Sequence, residues 1–118
     1  MNHETALAVL DSLPIGLIFA DEHDVTVLYN REAQRIFRRS PARVAENLGT
    51  SMVECHPAQT RPIVQELLDD FRAGRRDELD GTKDVNGRAI RFTYRPVRAA
   101  DGRYLGVVEI VREVAAKP

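Results

Sequence analysis

The sequence predicts an α+β domain: a five-stranded antiparallel sheet with helices packed on one face, preceded by an amphipathic N-terminal helix. One observation behind this class is that apolar residues recur at helical spacing in three separate segments of the first two thirds of the chain. Another is that the last third alternates apolar and polar residues around Asn86-Gly87 and Asp101-Gly102, two strong hairpin signals. Helices followed by hairpin-connected strands are typical of α+β folds.

The chain has 118 residues, which suits a single domain with one hydrophobic core. We expect the domain to span residues 1–118, with a flanking helix over about 3–13 and a core over about 14–114. Asn2 or Thr5 can cap the flanking helix, and its apolar residues lie at helical spacing before Pro14, which stops it.

A hairpin and a second helix follow. Residues 15–20 are a continuous apolar strand, residues 21–24 a polar turn, and residues 25–29 an alternating strand. Asn30 ends that strand and can cap a helix over 31–39, whose inward face carries Ala33, Ile36 and Phe37.

Two further helices precede the closing strands. A short helical turn is predicted over residues 42–46, after Ser40-Pro41. A longer helix begins at about Thr60 and ends before Gly74, where a left-handed cap is expected. Its stripe toward the core consists of Ile63, Val64, Leu67, Leu68 and Phe71. The strands that follow carry inward-facing Ile90, Phe92 and Tyr94 and end in the apolar segment "LGVVEIVREV".

Composition excludes several classes of function. The formal net charge is −1, so no overall field favours nucleic acid or an acidic membrane surface. The longest apolar run, residues 15–20, is too short to span a bilayer. One cysteine cannot form an internal disulfide, which is consistent with a reducing compartment. We therefore expect a cytoplasmic protein that binds neither nucleic acid nor membrane.

The order of elements resembles the PAS sensor fold over roughly residues 4–114. The resemblance is carried by "LPIGLIFADEHDVTVLYNREAQRIF", with Asn30 and Ala33 as an Asn-x-x-Ala motif, and by "RRSPARVAENLGTSM". The long helix that ends in "FRAG" and the closing "FTYRPVRAADGRYLGVVEIVREV" carry it further. The stretch "ECHPAQTRPIVQELLDDFRAG" is similar to a subgroup of PAS modules with Cys-His-Pro before the long helix, some of which accompany hemerythrin-like domains.

This resemblance implies a bacterial sensory and signal-transduction module, not an enzyme, that holds a small ligand between sheet and helices. It also implies a homodimer formed through the outer sheet face and the N-terminal helix, and an attached or separate effector protein. Strand 15–20 is apolar on both faces, which calls for a cover on the second face. The residues expected at the dimer interface are Leu7, Leu10, Leu13 and Ile18.

A ligand pocket is expected where aromatic and apolar side chains meet in the interior. The residues assigned to it are Phe19, Tyr29, Phe37, Met52, His56, Ile63, Leu67, Phe92, Tyr94 and Val108. Most of them also suit a core that fills the cavity completely, so a purely structural dimerisation module is an alternative reading. Glu109 is the unusual charge of the last strand, and we expect it either to face outward at a dimer seam or to pair with an arginine, such as Arg95, on the neighbouring strand.

The Cys55-His56 pair admits several interpretations. Metal binding is not expected, because His3 and His23 do not lie at metal-ligand spacing from Cys55. Catalysis is not expected either, because neighbouring side chains point apart and no third orienting group is evident. The flavin-binding relatives carry an Asn-Cys-Arg-Phe-Leu-type motif that is absent here. The default is a structural role at the helix start and no cofactor. Haem bound through His56, giving a gas or redox sensor, is the alternative.

Overall fold

The computed structural model describes residues 1–37, 48–54, 56–85 and 87–114. The helices within these ranges are α1 (His3–Asp11), α2 (Arg31–Phe37) and α3 (Arg61–Ala73). The strands are β1 (Gly16–Asp21), β2 (Thr26–Tyr29), β3 (Leu79–Val85), β4 (Arg88–Arg98) and β5 (Tyr104–Glu113). The helical turn predicted over 42–46 lies outside the described ranges.

All five strands form one antiparallel sheet in the order β2-β1-β5-β4-β3. The first and last strands of the chain are therefore neighbours in the centre of the sheet, and the predicted α+β class is confirmed. No helix in the described part of the chain is long and apolar enough to cross a membrane.

Local signals set the ends of the helices. Asn2, not Thr5, caps α1, and its side chain accepts a hydrogen bond from the Thr5 N–H at 2.8 Å. Gly74 ends α3 in the left-handed conformation with a φ of 77°, as its position after the apolar stripe predicts. Thr60 precedes α3 without capping it, because its hydroxyl donates to the Pro57 carbonyl at 3.0 Å instead.

Two groups of buried side chains form the core between the sheet and the helices. The larger group joins α3 to the sheet and consists of Ala20, Met52, Leu67, Leu68, Phe71, Tyr94 and Val107. The smaller group lies under α2 and consists of Ile36, Ile90 and Val111. Burial of these side chains holds α2 and α3 against the same face of the sheet.

Asn30 joins α1 to the rest of the fold. Its side chain is 1% exposed and makes four hydrogen bonds to backbone groups. Its Oδ1 accepts from the Leu17 N–H at 2.8 Å and from the Ala33 N–H, in the first turn of α2, at 3.0 Å. Its Nδ2 donates to the Leu10 carbonyl at 2.8 Å and to the Ile15 carbonyl at 3.0 Å. One side chain therefore fixes α1, β1 and α2 relative to one another.

Tyr104 gives a stability prediction at the start of β5. Its ring lies between the guanidinium groups of Arg72 and Arg98, and its buried hydroxyl has no hydrogen-bond partner among the described residues. Tyr104→Phe should leave the free energy of unfolding unchanged or raise it by up to about 1 kcal/mol, because an unpaired buried hydroxyl is unfavourable. Urea unfolding at pH 7 measures this, and a loss above about 1 kcal/mol would mean that the hydroxyl has a partner.

The same variant should separate from the wild type at alkaline pH. Burial raises the pKa of Tyr104 above the ordinary value of 10.0, so the unfolded chain loses this proton first as the pH increases. The contribution of Tyr104 to the free energy of unfolding is therefore fully present below pH 10. It is lost as the pH rises through the pKa of the folded state, because the unfolded chain ionises first. Tyr104→Phe lacks this loss, and its stability relative to the wild type should increase above pH 10.

Candidate ligand-binding site

A cavity of about 550 Å³ lies between α3 and strands β3 and β4. Six of the residues assigned to a pocket from the sequence line it: Met52, His56, Ile63, Leu67, Phe92 and Tyr94. The wall also includes residues that sequence reasoning did not assign: Val64, Glu66, Asp70, Arg76, Leu79, Thr82 and Lys83. Its size and its aromatic and aliphatic lining are those of a small-molecule site.

A smaller cavity of about 210 Å³ adjoins the first on the side of β1 and β2. Both cavities are lined by Met52, His56, Lys83 and Tyr94, so the two spaces meet at these four side chains. Tyr29 and Phe37, also assigned from the sequence, line the smaller cavity together with the unassigned Ile18, Thr26 and Glu109. Eight of the ten assigned pocket residues are thus brought together in one region of the interior.

Phe19 and Val108 are corrections to the sequence assignment. Neither lines the two cavities that the described residues form. They are register partners on β1 and β5, and their chain neighbours Ala20, Val107 and Glu109 are buried on the inner face. Because successive strand residues point to opposite faces, Phe19 and Val108 belong to the outer face of the sheet.

Ile18 requires a correction in the opposite direction, from the outer face to the inner one. The sequence predicts it at the dimer interface, but it is buried and lines the smaller cavity on the inner face. The other assigned interface residues lie where a partner can reach them: Leu7 is 37% exposed on α1, and Leu10 and Leu13 are half-buried. The outer face of β1 and β5 carries an apolar surface, to which Ile18 does not belong. This surface consists of Leu17, Phe19, Val108 and Ile110, which are all half-buried.

His56 is held in one orientation. Its Nδ1 lies 2.7 Å from the Met52 carbonyl oxygen, which can only accept a hydrogen bond, so Nδ1 carries a proton. In the neutral ring Nε2 is then the nitrogen with the lone pair. The His56 ring bonds to the segment before the long helix and lines both cavities, and its backbone carbonyl accepts from Arg61 Nε at the helix start at 2.9 Å. Cys55 is not among the described residues.

An ion pair between a half-buried lysine and a buried glutamate lies where the two cavities meet. Glu109 on β5 is 6% exposed, and its Oε2 lies 3.2 Å from Nζ of Lys83 on β3. The Lys83 ammonium also lies 5.2 Å from the ring centroids of both Phe37 and Phe92. Both expectations for Glu109 are therefore wrong: it does not face outward at a seam, and its partner is not Arg95.

Further charged groups line the larger cavity. Asp70 of α3 accepts a hydrogen bond from the Arg75 Nε at 2.9 Å, so its charge is compensated outside the cavity wall. Glu66 and Arg76, one of each sign, are both exposed. The apolar interior with a few fixed polar groups suits binding and orientation of a small molecule. Within the described ranges, no three His, Cys, Asp or Glu side chains come close enough to hold a metal ion.

An antiparallel sheet with helices on one face and a lined cavity between the layers defines a small α+β domain. The profile of the PAS domain family matches residues 7–115 of this chain. The chain therefore belongs to the PAS domain family, as the sequence resemblance implied. No curated protein matches it as a relative by sequence.

Solved structures with the same fold include a C-terminal domain from Streptococcus mutans. It is 27% identical with a TM-score of 0.78, over 96% of this chain and 85% of that one. The PAS domain of BvgS from Bordetella pertussis is 19% identical, with a TM-score of 0.72 over 97% and 87% of the two chains. A sensory box sensor histidine kinase from Vibrio cholerae is 15% identical, with a TM-score of 0.64 over 97% and 92%.

Proposed function

We propose that this chain is a sensory, non-enzymatic signal-transduction domain that binds a small molecule in the cavity between α3 and the sheet. The observation that carries the proposal is the cavity of about 550 Å³, lined by apolar and aromatic side chains and bordered by a hydrogen-bonded histidine and a half-buried ion pair. Similarity to a sensory box sensor histidine kinase supports the sensory role. A space of this size argues against the alternative of a purely structural module with a filled core.

The proposal includes a homodimer. The outer surface of Leu17, Phe19, Val108 and Ile110 is apolar, and all four side chains remain partly exposed to water in the described chain. The α1 helix carries Leu7 and the 49% exposed Val9 on an accessible side. A second copy that buries both regions would give each a partner. We propose the second copy as the partner, together with a small-molecule ligand and a cytoplasmic location.

The signal would leave the cavity through the elements that form its wall and their neighbours in the fold. Glu109 lines the cavity and belongs to β5, the last strand, while Asn30 connects α1 to the neighbouring β1. A ligand that fits only one arrangement of this wall would shift the positions of α1 and of the C-terminal end of β5. An attached or separate effector protein would read that shift.

Native mass spectrometry and an absorption spectrum of the purified chain test this proposal together. We expect a dimer of the 13.3 kDa chain that retains, or takes up on screening by thermal shift, a small organic molecule. A dimer without any ligand from a broad screen would favour the structural module, and a monomer would contradict the dimer.

A pair of matched variants locates the binding. Val64→Phe should place a ring in the larger cavity and remove most of the ligand-dependent rise in melting temperature, because Val64 is half-buried in its wall and the ring would clash with a bound molecule. Val27→Phe makes the same change on β2, where Val27 is 48% exposed and lines neither cavity, and should leave the rise intact. Equal loss in both variants would place the ligand elsewhere.

One observation favours a haem-based gas or redox sensor as a second candidate. The Nδ1–H of His56 donates to a backbone carbonyl, which is the arrangement that orients metal-ligating histidines toward the metal through Nε2. Haem iron needs only one such protein ligand and, when bound, supplies a site for a diatomic gas. A Soret band after haem addition that disappears in His56→Ala would select this candidate, and the absence of a band would remove it.

A further inference from the structure

We infer that the ligand of the cavity is an uncharged molecule with a hydrogen-bond donor and an acceptor side by side, such as a primary amide or a lactam, which docks against the Glu109–Lys83 pair. This inference rests on the proposed ligand cavity and adds the chemical class of the ligand. It is carried by the second oxygen of the Glu109 carboxylate and by the position of the ion pair where the two cavities meet.

Glu109 has acceptor capacity that the described residues do not use. Its Oε2 accepts from Lys83, no described residue donates to Oε1, and the residue, which is 6% exposed, lines the smaller cavity. A ligand N–H or O–H placed at Oε1 would make a hydrogen bond to a charged acceptor, which is roughly twice as strong as a neutral one.

Lys83 supplies the complementary group. Its ammonium has three N–H donors, of which Glu109 takes one, and Lys83 lines both cavities. A ligand carbonyl next to the ligand donor would therefore meet an N–H of Lys83 while its donor meets Oε1. An amide edge presents these two groups on adjacent atoms.

The charge balance selects an uncharged ligand over a charged one. The carboxylate, whose side chain is 8% exposed, and the ammonium already neutralise each other at 3.2 Å. A cation added here would be repelled by Lys83, and an anion would be repelled by Glu109. The remaining wall is apolar and aromatic, with Phe92 and Tyr94 in an edge-to-face arrangement 5.5 Å apart, so the body of the ligand is expected to be apolar or a flat ring.

Four probes that share one ring test the inference: benzamide, benzoate, benzylamine and toluene, titrated into the whole chain at pH 7 and followed by amide NMR shifts. We expect benzamide to bind at least about tenfold more tightly than toluene, the effect of one hydrogen bond to a charged group. Benzoate and benzylammonium should bind more weakly than benzamide. Tighter binding of benzylammonium or benzoate would overturn the inference and assign the pair to a charged ligand.

Variants of the pair show whether the preference comes from Glu109. Glu109→Gln should reduce the advantage of benzamide over toluene to less than about threefold, because the acceptor loses its charge. The double variant Glu109→Gln/Lys83→Met removes both charges and tests the same point if the single variant folds poorly. Glu4→Gln removes an exposed carboxylate of α1 that lines neither cavity and should leave the preference unchanged.

The outcomes separate this inference from the proposed function. If toluene and benzamide bind the cavity equally well and Glu109→Gln changes neither, the cavity accepts ligands but the inferred chemistry is wrong. If none of the four probes shifts the amides of α3, β3 or β4, both the inference and the ligand cavity are contradicted.

Discussion

Asn30→Ala is expected to lower the free energy of unfolding by about 3–4 kcal/mol, because it leaves four backbone groups without their partner at once. The side chain satisfies the N–H groups of Leu17 and Ala33 and the carbonyls of Leu10 and Ile15, all within 3.0 Å. Loss of the cap on α2 alone accounts for about 1 kcal/mol of this. Urea unfolding followed by circular dichroism measures the change.

Asn30→Asp separates the two halves of this arrangement. The aspartate has the same shape and keeps the acceptor for Leu17 and Ala33, but it loses both donors and places a negative charge against the carbonyls of Leu10 and Ile15. We expect α1 to detach while the sheet stays folded, which hydrogen exchange would show as lost protection confined to residues 3–11.

Asn2→Asp is the matched control. Asn2 caps α1 only through its side-chain oxygen, an interaction that a carboxylate retains, so this variant should keep its stability and the protection of α1. If Asn30→Asp behaves like Asn2→Asp, the two donors of Asn30 do not hold α1. That result would also remove the proposed route from the cavity region to the N-terminal helix.

The sequence predicts one part of this role and not the other. An asparagine directly before a helical pattern indicates a cap, and Asn30 does cap α2. Its bonds to Leu10 and Ile15 connect residues 20 and 15 positions apart in the chain. They depend on where α1 lies in the fold, and no local pattern carries that information.

The faces of the central strands were harder to predict than the strands themselves. Residues 15–20 are apolar throughout, so alternation does not reveal which of Ile18 and Phe19 faces the helices. Pairing with β5 decides the matter, because β1 and β5 share one register and Glu109 lies opposite Ile18 on the inner face. The expectation that a charged residue faces outward therefore misassigned Glu109, and with it Val108.

Lys83 could have been found from the sequence. The strand "LDGTKDV" places Leu79, Gly81, Lys83 and Val85 on one face, and Leu79 and Val85 mark that face as the inner one. Such an alternation predicts a lysine that points inward. Its partner Glu109 lies 26 residues away and was not predictable from either strand alone, because the pair forms across β4.

Gly106→Ala is expected to destabilise the domain by about 3–5 kcal/mol or to prevent folding. Gly106 is buried in β5 with a φ of 148°, a conformation that residues with a side chain rarely adopt. A Cβ at this position would overlap the carbonyl oxygen of Ala20 on β1 and would lie 2.7 Å from Cζ of Phe19. Backbone strain and overpacking each cost about 1–3 kcal/mol, and the carbonyl belongs to a paired strand that cannot move away.

Gly102→Ala controls for the backbone conformation. Gly102 also has a positive φ, of 90°, but a Cβ there meets nothing within 4 Å, so only the strain of about 1–2 kcal/mol should appear in urea unfolding. Equal destabilisation by the two substitutions would mean that β1 and β5 are not packed as closely as Gly106 requires. A much larger destabilisation by Gly106→Ala than by Gly102→Ala would show that β1 and β5 pack closely beside Val107 and Ala20. These two residues belong to the larger core group that α3 packs against. A ligand that acts on Glu109 in β5 would then move β1 with it, and through Asn30 also α1.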